Sequence, residues 1–201
     1  MQPSQEYYDL IDAYKIIHQE EGKFKGISLS PLVPTLMSIT KENKCKTLLD
    51  YGCGKALPYD KDKCGEVGLL KPVQELCNIE SFDLYDPAYE KYAILPDKKY
   101  DVVVCTDVLE HIAEQDIDYV LTKIFSCSNK IVFLNVSCQH ALKHFKQGKL
   151  KGKNLHVSVF DPSWWMHKIG NIWNNFNHLK IYTLCKTKEG THATCIKKEK
   201  K

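Results

Sequence analysis

Gly52 and Gly54 follow a short apolar run, Thr47-Leu48-Leu49-Asp50-Tyr51. Glycines there let a chain turn tightly and let a ligand approach the main chain. A G-x-G pair also marks ordinary turns, but this one has acids around it. Asp50 stands two residues before the first glycine, and Asp86 closes the next apolar run, Glu80 to Tyr85. A carboxylate at that point can accept hydrogen bonds from both hydroxyls of a ribose. Taken alone, Asp86-Pro87 is also a common way to start a turn. A second group, Asp107, Glu110 and His111, lies just past a β-branched run, Tyr100 to Thr106, and His156 follows in Asn154-Leu155-His156-Val157-Ser158. A neutral imidazole near pH 7 can take a proton from a reacting acceptor. The plainer role for either histidine is a hydrogen-bonded residue lining a cleft or ordering a loop. Carboxylate and imidazole together can also bind a divalent cation.

The elements that must carry these residues are read from periodicity. Tyr7, Leu10, Ile11, Tyr14 and Ile17 recur at helical spacing and predict a helix over 6–20. Tyr7, Tyr8 and Tyr14 on it could cover a cleft or a partner. A second helix is expected over 30–40, with Pro31 in its first turn. Strands are expected over 47–51, 80–85, 100–106 and 130–136, and helices over 117–125 and from Pro162. Segments 178–186 and 191–197 suggest a closing antiparallel hairpin around Glu189-Gly190. Alternating strands and helices predict an α/β fold with a mostly parallel sheet covered on both faces. Such sheets bind ligands beyond the carboxyl ends of their strands. Gly52, Gly54, Asp86, Asp107, His111 and the segment after Val136 all fall at those ends.

The chain of 201 residues suits one domain. We expect a helical cap over 1–44, a core over 45–197 and a flexible tail over 198–201. All 28 basic residues are lysine. Without arginine, sequence-specific reading of DNA is not expected. The nine cysteines form no C-x-x-C pair, which argues against a zinc ribbon and for reduced, core-filling thiols. The N-terminus shows no secretory pattern and no run is long enough for a membrane span, so a cytoplasmic protein is expected. The lysine-rich stretch from Lys143 to Lys153 reads as a solvated loop, with phosphate contact or a lid over the cleft as alternatives. Trp164, Trp165 and Trp173 are expected mainly in the core.

Taken together, these segments resemble class I, Rossmann-like S-adenosylmethionine-dependent methyltransferases, in particular the methyltransferase type 11 group. Leu49-Asp50-Tyr51-Gly52-Cys53-Gly54-Lys55 looks like the first motif of that class, and Tyr85-Asp86-Pro87 like its ribose-binding strand end. Tyr100 to Ile112 is similar to the fourth-motif segment, and Lys130 to Val136 fits the fifth strand. The resemblance covers roughly residues 45 to 170. It implies a three-layer fold and S-adenosylmethionine as cofactor. Asp50 with the backbone of Gly52, Cys53 and Gly54 would hold its methionine portion, and Asp86 with Pro87 its ribose. Thr106, Asp107, Val108 and Leu109 would pass beneath the adenosine. In the same group a histidine preceding a proline-started helix often faces the acceptor, which points to His156 here, with His111 and Asp107 as further catalytic candidates.

Two departures stand out. The stretch from Gly54 to Asp86 is long and contains the polar insertion Asp60-Lys61-Asp62-Lys63. Only 15 residues separate Asp86 from Asp101, too few for the usual helix and third strand. That strand is expected to be missing or shortened, leaving Asp97 as a weak candidate for the adenine side. The expected reaction is methyl transfer to an oxygen or nitrogen of a small molecule or glycan precursor, with no metal. One alternative comes from Asp107-x-x-Glu110-His111 and the later His156, which are similar to metal-dependent RNA 2′-O-methyltransferases of the small-RNA type. Another is a non-catalytic module that binds the cofactor. A nicotinamide dehydrogenase fits poorly: Leu57 stands where the third glycine of its fingerprint belongs.

Overall fold

In a computed structural model, which describes residues 2–198, six strands form one sheet. They are β1 (Thr47–Tyr51), β2 (Ser81–Tyr85), β3 (Tyr100–Thr106), β4 (Ser128–Ser137), β5 (Lys180–Lys186) and β6 (Thr191–Ile196). Their order is β2-β1-β3-β4-β5-β6. The first five strands run parallel, and β6 is antiparallel to β5. This is the mostly parallel sheet with a C-terminal antiparallel hairpin expected of a Rossmann-like methyltransferase. Central strands are near-continuous apolar runs because both faces are covered. Val102, Val103 and Val104 of β3 are all fully buried.

Side chains alternate across the sheet and build one core on each face. Leu49, Val103, Val132 and Leu134 pack with helices α4 (Ile117–Ser126) and α5 (Pro162–Trp173). Leu48, Val102, Ile131 and Phe133 pack with α2 (Val33–Glu42) and the short α3 (Val73–Leu76). Pro162 opens α5 at its first turn, where the missing N–H costs nothing. The Asp161 carboxylate caps that helix by accepting from the Trp164 amide at 3.0 Å. Trp165 is in the core as expected, and Trp164 stacks on Phe160 at 3.8 Å.

Two expectations need adjusting. The helix expected from residue 30 begins later: Ile27–Leu32 is a 3-10 turn containing Pro31, and α2 starts at Val33-Pro34. The lysine-rich stretch is not a free loop. Its Phe145 and Leu150 are buried in a cluster with Leu10 of α1 (Gln5–His18), and Lys149 and Lys153 reach Asp9 and Glu6 of that helix. The shortened third-strand region is as expected. Among the described residues, only the 3-10 turn Glu90–Tyr92 lies between β2 and β3, so β2 is the edge of the sheet. Of the expected flexible tail, residues 199–201 lie outside the described residues. Among the described residues, no helix is long and apolar enough to cross a membrane.

Candidate active site

The carboxyl ends of β1, β2 and β3 open on one cavity with about 860 Å³ of empty volume, part of it open to solvent. That lies in the range of small-molecule clefts. Its floor is the loop after β1. Gly52 has a φ of +87°, and a Cβ there would stand 2.3 Å from Val108 Cγ2. Gly54 has a φ of +59°, and a Cβ would stand 2.4 Å from the Phe24 carbonyl oxygen. No other residue type fits either place without movement. The amides of Gly52 and Cys53 donate to the Tyr85 carbonyl at 2.7 and 3.1 Å. The Gly54 amide donates to Asp86 Oδ2 at 2.9 Å. These N–H groups are therefore spent inside the protein. The loop offers a ligand close approach and the Asp50 side chain rather than a nest of free amides.

Asp86 is the joint between the two strand ends. One carboxylate oxygen holds Gly54, and the other accepts from the Ala88 amide at 2.9 Å. Each oxygen keeps capacity for a further donor. Asp50 is buried in the same wall, and burial pushes its carboxyl up to about 7, with the nearby Asp86 charge adding to the rise and Tyr59 opposing it.

The roof is α1 and the turn after it. Tyr7, Leu10, Ile11, Tyr14, His18 and Phe24 all face the cavity. Tyr7 and Tyr14 thus cover the cleft, whereas Tyr8 is half exposed. His18 was not legible as a site residue, since its helix shows only amphipathic spacing. It sits beside Asp86, with Nε2 3.8 Å from Oδ2.

On the far side, Thr106, Asp107, Val108 and His111 line the cavity. Asp107 has a φ of +53°, a conformation that costs a non-glycine residue energy and that clusters at functional sites. Its carboxylate accepts from Asn135 Nδ2 at 2.6 Å and pairs with Lys186 at 3.2 Å. Asn135 and Lys186 come from β4 and β5, so their part was invisible to local motif reading. Leu109 is a correction: it is fully buried in the core and does not line the cavity. Asp97 is exposed and also lies outside it.

The two histidines meet, but only His111 faces the cavity; His156 stands behind it, ring centroids 4.8 Å apart and nearly perpendicular. His111 Nδ1 lies 2.7 Å from the Tyr14 hydroxyl and 3.0 Å from the Leu155 carbonyl oxygen, and that hydroxyl donates to the same carbonyl at 2.7 Å. His156 Nδ1 lies 2.5 Å from the Gln139 carbonyl oxygen. Carbonyl partners place a proton on each Nδ1, which in His111 leaves Nε2 as the free lone pair. Burial, with His156 adding, pushes His111 down to about 4, so it is neutral at pH 7. Glu110 is fully buried. Its Oε1 accepts from the Ser137 amide at 2.8 Å, and its Oε2 has no partner. Burial, and next the Asp107 charge, push it up to about 8. One ligand-type atom from each of Glu110, His111 and His156 lies within 4.8 Å of the others.

A doubly covered, mostly parallel sheet with a cavity at the carboxyl ends of its strands, floored by a glycine loop, defines a protein of the Rossmann-like class. A family model described as a methyltransferase domain matches residues 28–184, and the chain belongs to that family. The protein is thus a methyltransferase by family. Comparison with curated proteins gives no match.

Proposed function

We propose that the protein transfers a methyl group from S-adenosylmethionine to an oxygen or nitrogen of a small molecule or glycan precursor. The observation that carries this reading is the single cavity in which the glycine floor, Asp50, Asp86 and a neutral His111 face one another. Their donors and acceptors fit the cofactor: Asp86 has acceptor capacity for ribose hydroxyls, and the Gly52–Gly54 backbone leaves room for the amino-acid portion. Asp50 lines the same cavity, and an ammonium group bound beside it would hold it ionised. When bound, the cofactor supplies a methyl on a positively charged sulfur, an intrinsically reactive donor. The protein's part is alignment and exclusion of water. Tyr14 fixes the His111 ring, whose free Nε2 accepts a hydrogen bond from the acceptor's O–H or N–H and so aims its lone pair. The proton released on transfer passes to that Nε2 and from it to solvent, to which part of the cavity is open. The cysteines are free, which suits a reducing cytoplasm.

Calorimetric titration with S-adenosylmethionine and S-adenosylhomocysteine tests the reading. Saturable binding, lost in Asp86→Ala, is expected; silence in the wild-type protein would refute it. Convergence of Glu110, His111 and His156, with Glu110 Oε2 unpartnered, favours a second reading as a metal-dependent RNA 2′-O-methyltransferase. Loss of turnover on chelation, restored by a divalent cation, together with RNA binding that falls steeply with salt, would select it. Cofactor binding without turnover on any acceptor would mark a non-catalytic module instead.

A further inference from the structure

Residues before position 28 lie outside the span that matches the methyltransferase family. They nevertheless form the roof of the cavity, and the roof ends in His18, the last residue of α1. The imidazole is wedged between two aromatic rings. It stacks on Tyr89 at 5.2 Å with an interplanar angle of 24°, and lies 4.7 Å from Phe24. It is only 8% exposed, so its orientation is set by packing rather than by solvent. Nε2 faces Asp86 Oδ2 at 3.8 Å. The neighbouring carboxylate favours the tautomer with its proton on Nε2. Nδ1 is then an acceptor; it is buried with no hydrogen-bond partner, and a small turn of the ring presents it to the cavity that His18 lines. A buried polar atom left without a partner calls for a physical explanation, and a ligand donor is one.

We infer that His18 is a binding residue of the central cavity, whose Nδ1 accepts a hydrogen bond from a ribose hydroxyl of the bound nucleoside and so shares the diol with Asp86. This rests on the nucleoside reading of the cavity proposed above. A vicinal diol presents two donors. Asp86 keeps capacity on each oxygen, but both oxygens already accept, from Gly54 and Ala88, so serving both hydroxyls alone would crowd one carboxylate with four donors. A second acceptor at its side divides that demand. The sheet stops at β2, so no further strand is present among the described residues to supply it. α1 comes from the other end of the chain and delivers it instead.

The experiment is calorimetry of S-adenosylhomocysteine and its 2′-deoxy and 3′-deoxy forms against wild type, His18→Phe and His18→Asn. Phenylalanine keeps the stacking on Tyr89 and Phe24 but has no acceptor; asparagine restores an acceptor near Nδ1. His18→Phe is expected to bind S-adenosylhomocysteine about 3- to 10-fold more weakly, the worth of one neutral hydrogen bond. One of the two deoxy ligands should lose a similar factor on wild type and on His18→Asn, and little on His18→Phe. Equal losses for both deoxy ligands across wild type and His18→Phe would overturn the assignment. If His18→Phe does not fold, the wild-type and His18→Asn pair decides it. If neither deoxy ligand then lost affinity on wild type and on His18→Asn, the assignment would be overturned. No binding of S-adenosylhomocysteine to wild type would remove the nucleoside reading itself, and this inference with it.

Discussion

Gly52→Ala tests whether the floor of the cavity is built by contact between the glycine loop and Val108. The new Cβ would stand 2.3 Å from Val108 Cγ2, far inside contact distance, on a residue with φ of +87°. Two costs add. Overpacking costs about 1–3 kcal/mol, and holding a non-glycine residue in a left-handed conformation about 1–2 kcal/mol. The sum is about 2–5 kcal/mol, which for a chain of this size lowers the melting temperature by roughly 4–20 °C. Thermal and urea unfolding of Gly52→Ala, Val108→Ala and the double variant separate the costs. Val108→Ala removes both γ carbons, so the double variant should recover the steric part and keep only the backbone part. The coupling should therefore be restorative and about 1–3 kcal/mol. Strictly additive losses would mean that Val108 does not bear on Gly52, and that the floor is closed some other way.

Asp86→Ala should destabilise the protein even without ligand, because it strands the Gly54 and Ala88 amides. About 3–6 kcal/mol is expected from losing two charge-assisted hydrogen bonds, and an unchanged urea midpoint would show that the carboxylate does not hold the loop. For Glu110, the folded pKa of about 8 lies above its ordinary 4.5. The folded state then keeps a proton that the unfolded state has lost, so this contribution is full below pH 4.5 and declines as pH rises to about 8. Glu110→Gln, which retains an acceptor for the Ser137 amide, should flatten the fall in stability between pH 6.5 and 8; a slope equal to wild type's in urea unfolding would contradict this. His111 works the other way, since its depressed pKa adds stability as pH rises from about 4 to 6.5.

The parts of the site legible in the sequence are those where one local stretch carries both strand and loop. Gly52 and Gly54 could be read because their steric demand is written beside β1, and Asp86 because it ends β2. The missing strand was legible from chain length alone. What escaped depends on tertiary partners. His18 shows only helical spacing, and nothing nearby announces that Asp86, 68 residues on, will stand beside it. Lys186 and Asn135 are ordinary strand residues until the parallel β4–β5 register brings them to Asp107. The lysine-rich stretch looked solvated by composition, yet two apolar residues, Phe145 and Leu150, suffice to pin it against α1. Leu109 failed in the opposite sense: Val108 and His111 face the cavity, but the 3-10 turn Leu109–His111 rotates the Leu109 side chain into the core.

Ligand binding and the docking of α1 must be thermodynamically linked. The helix is held at its start by Ser4, whose amide and hydroxyl both donate to Asp116 at 2.7 Å. It is held in the middle by Tyr14 on Leu155 and His111, and at its end by His18 on Tyr89 and Asp86. Its contacts to Lys149 and Lys153 are exposed ion pairs and contribute little. Tyr14 and His18 are therefore both anchors of the roof and walls of the cavity. A molecule that fills the cavity touches the same side chains and must stabilise the docked helix. By the same linkage, loosening α1 weakens binding and also releases the His111 ring that faces the cavity. One helix outside the family's matched span thus bears on both the Asp86 end and the His111 end of the cavity.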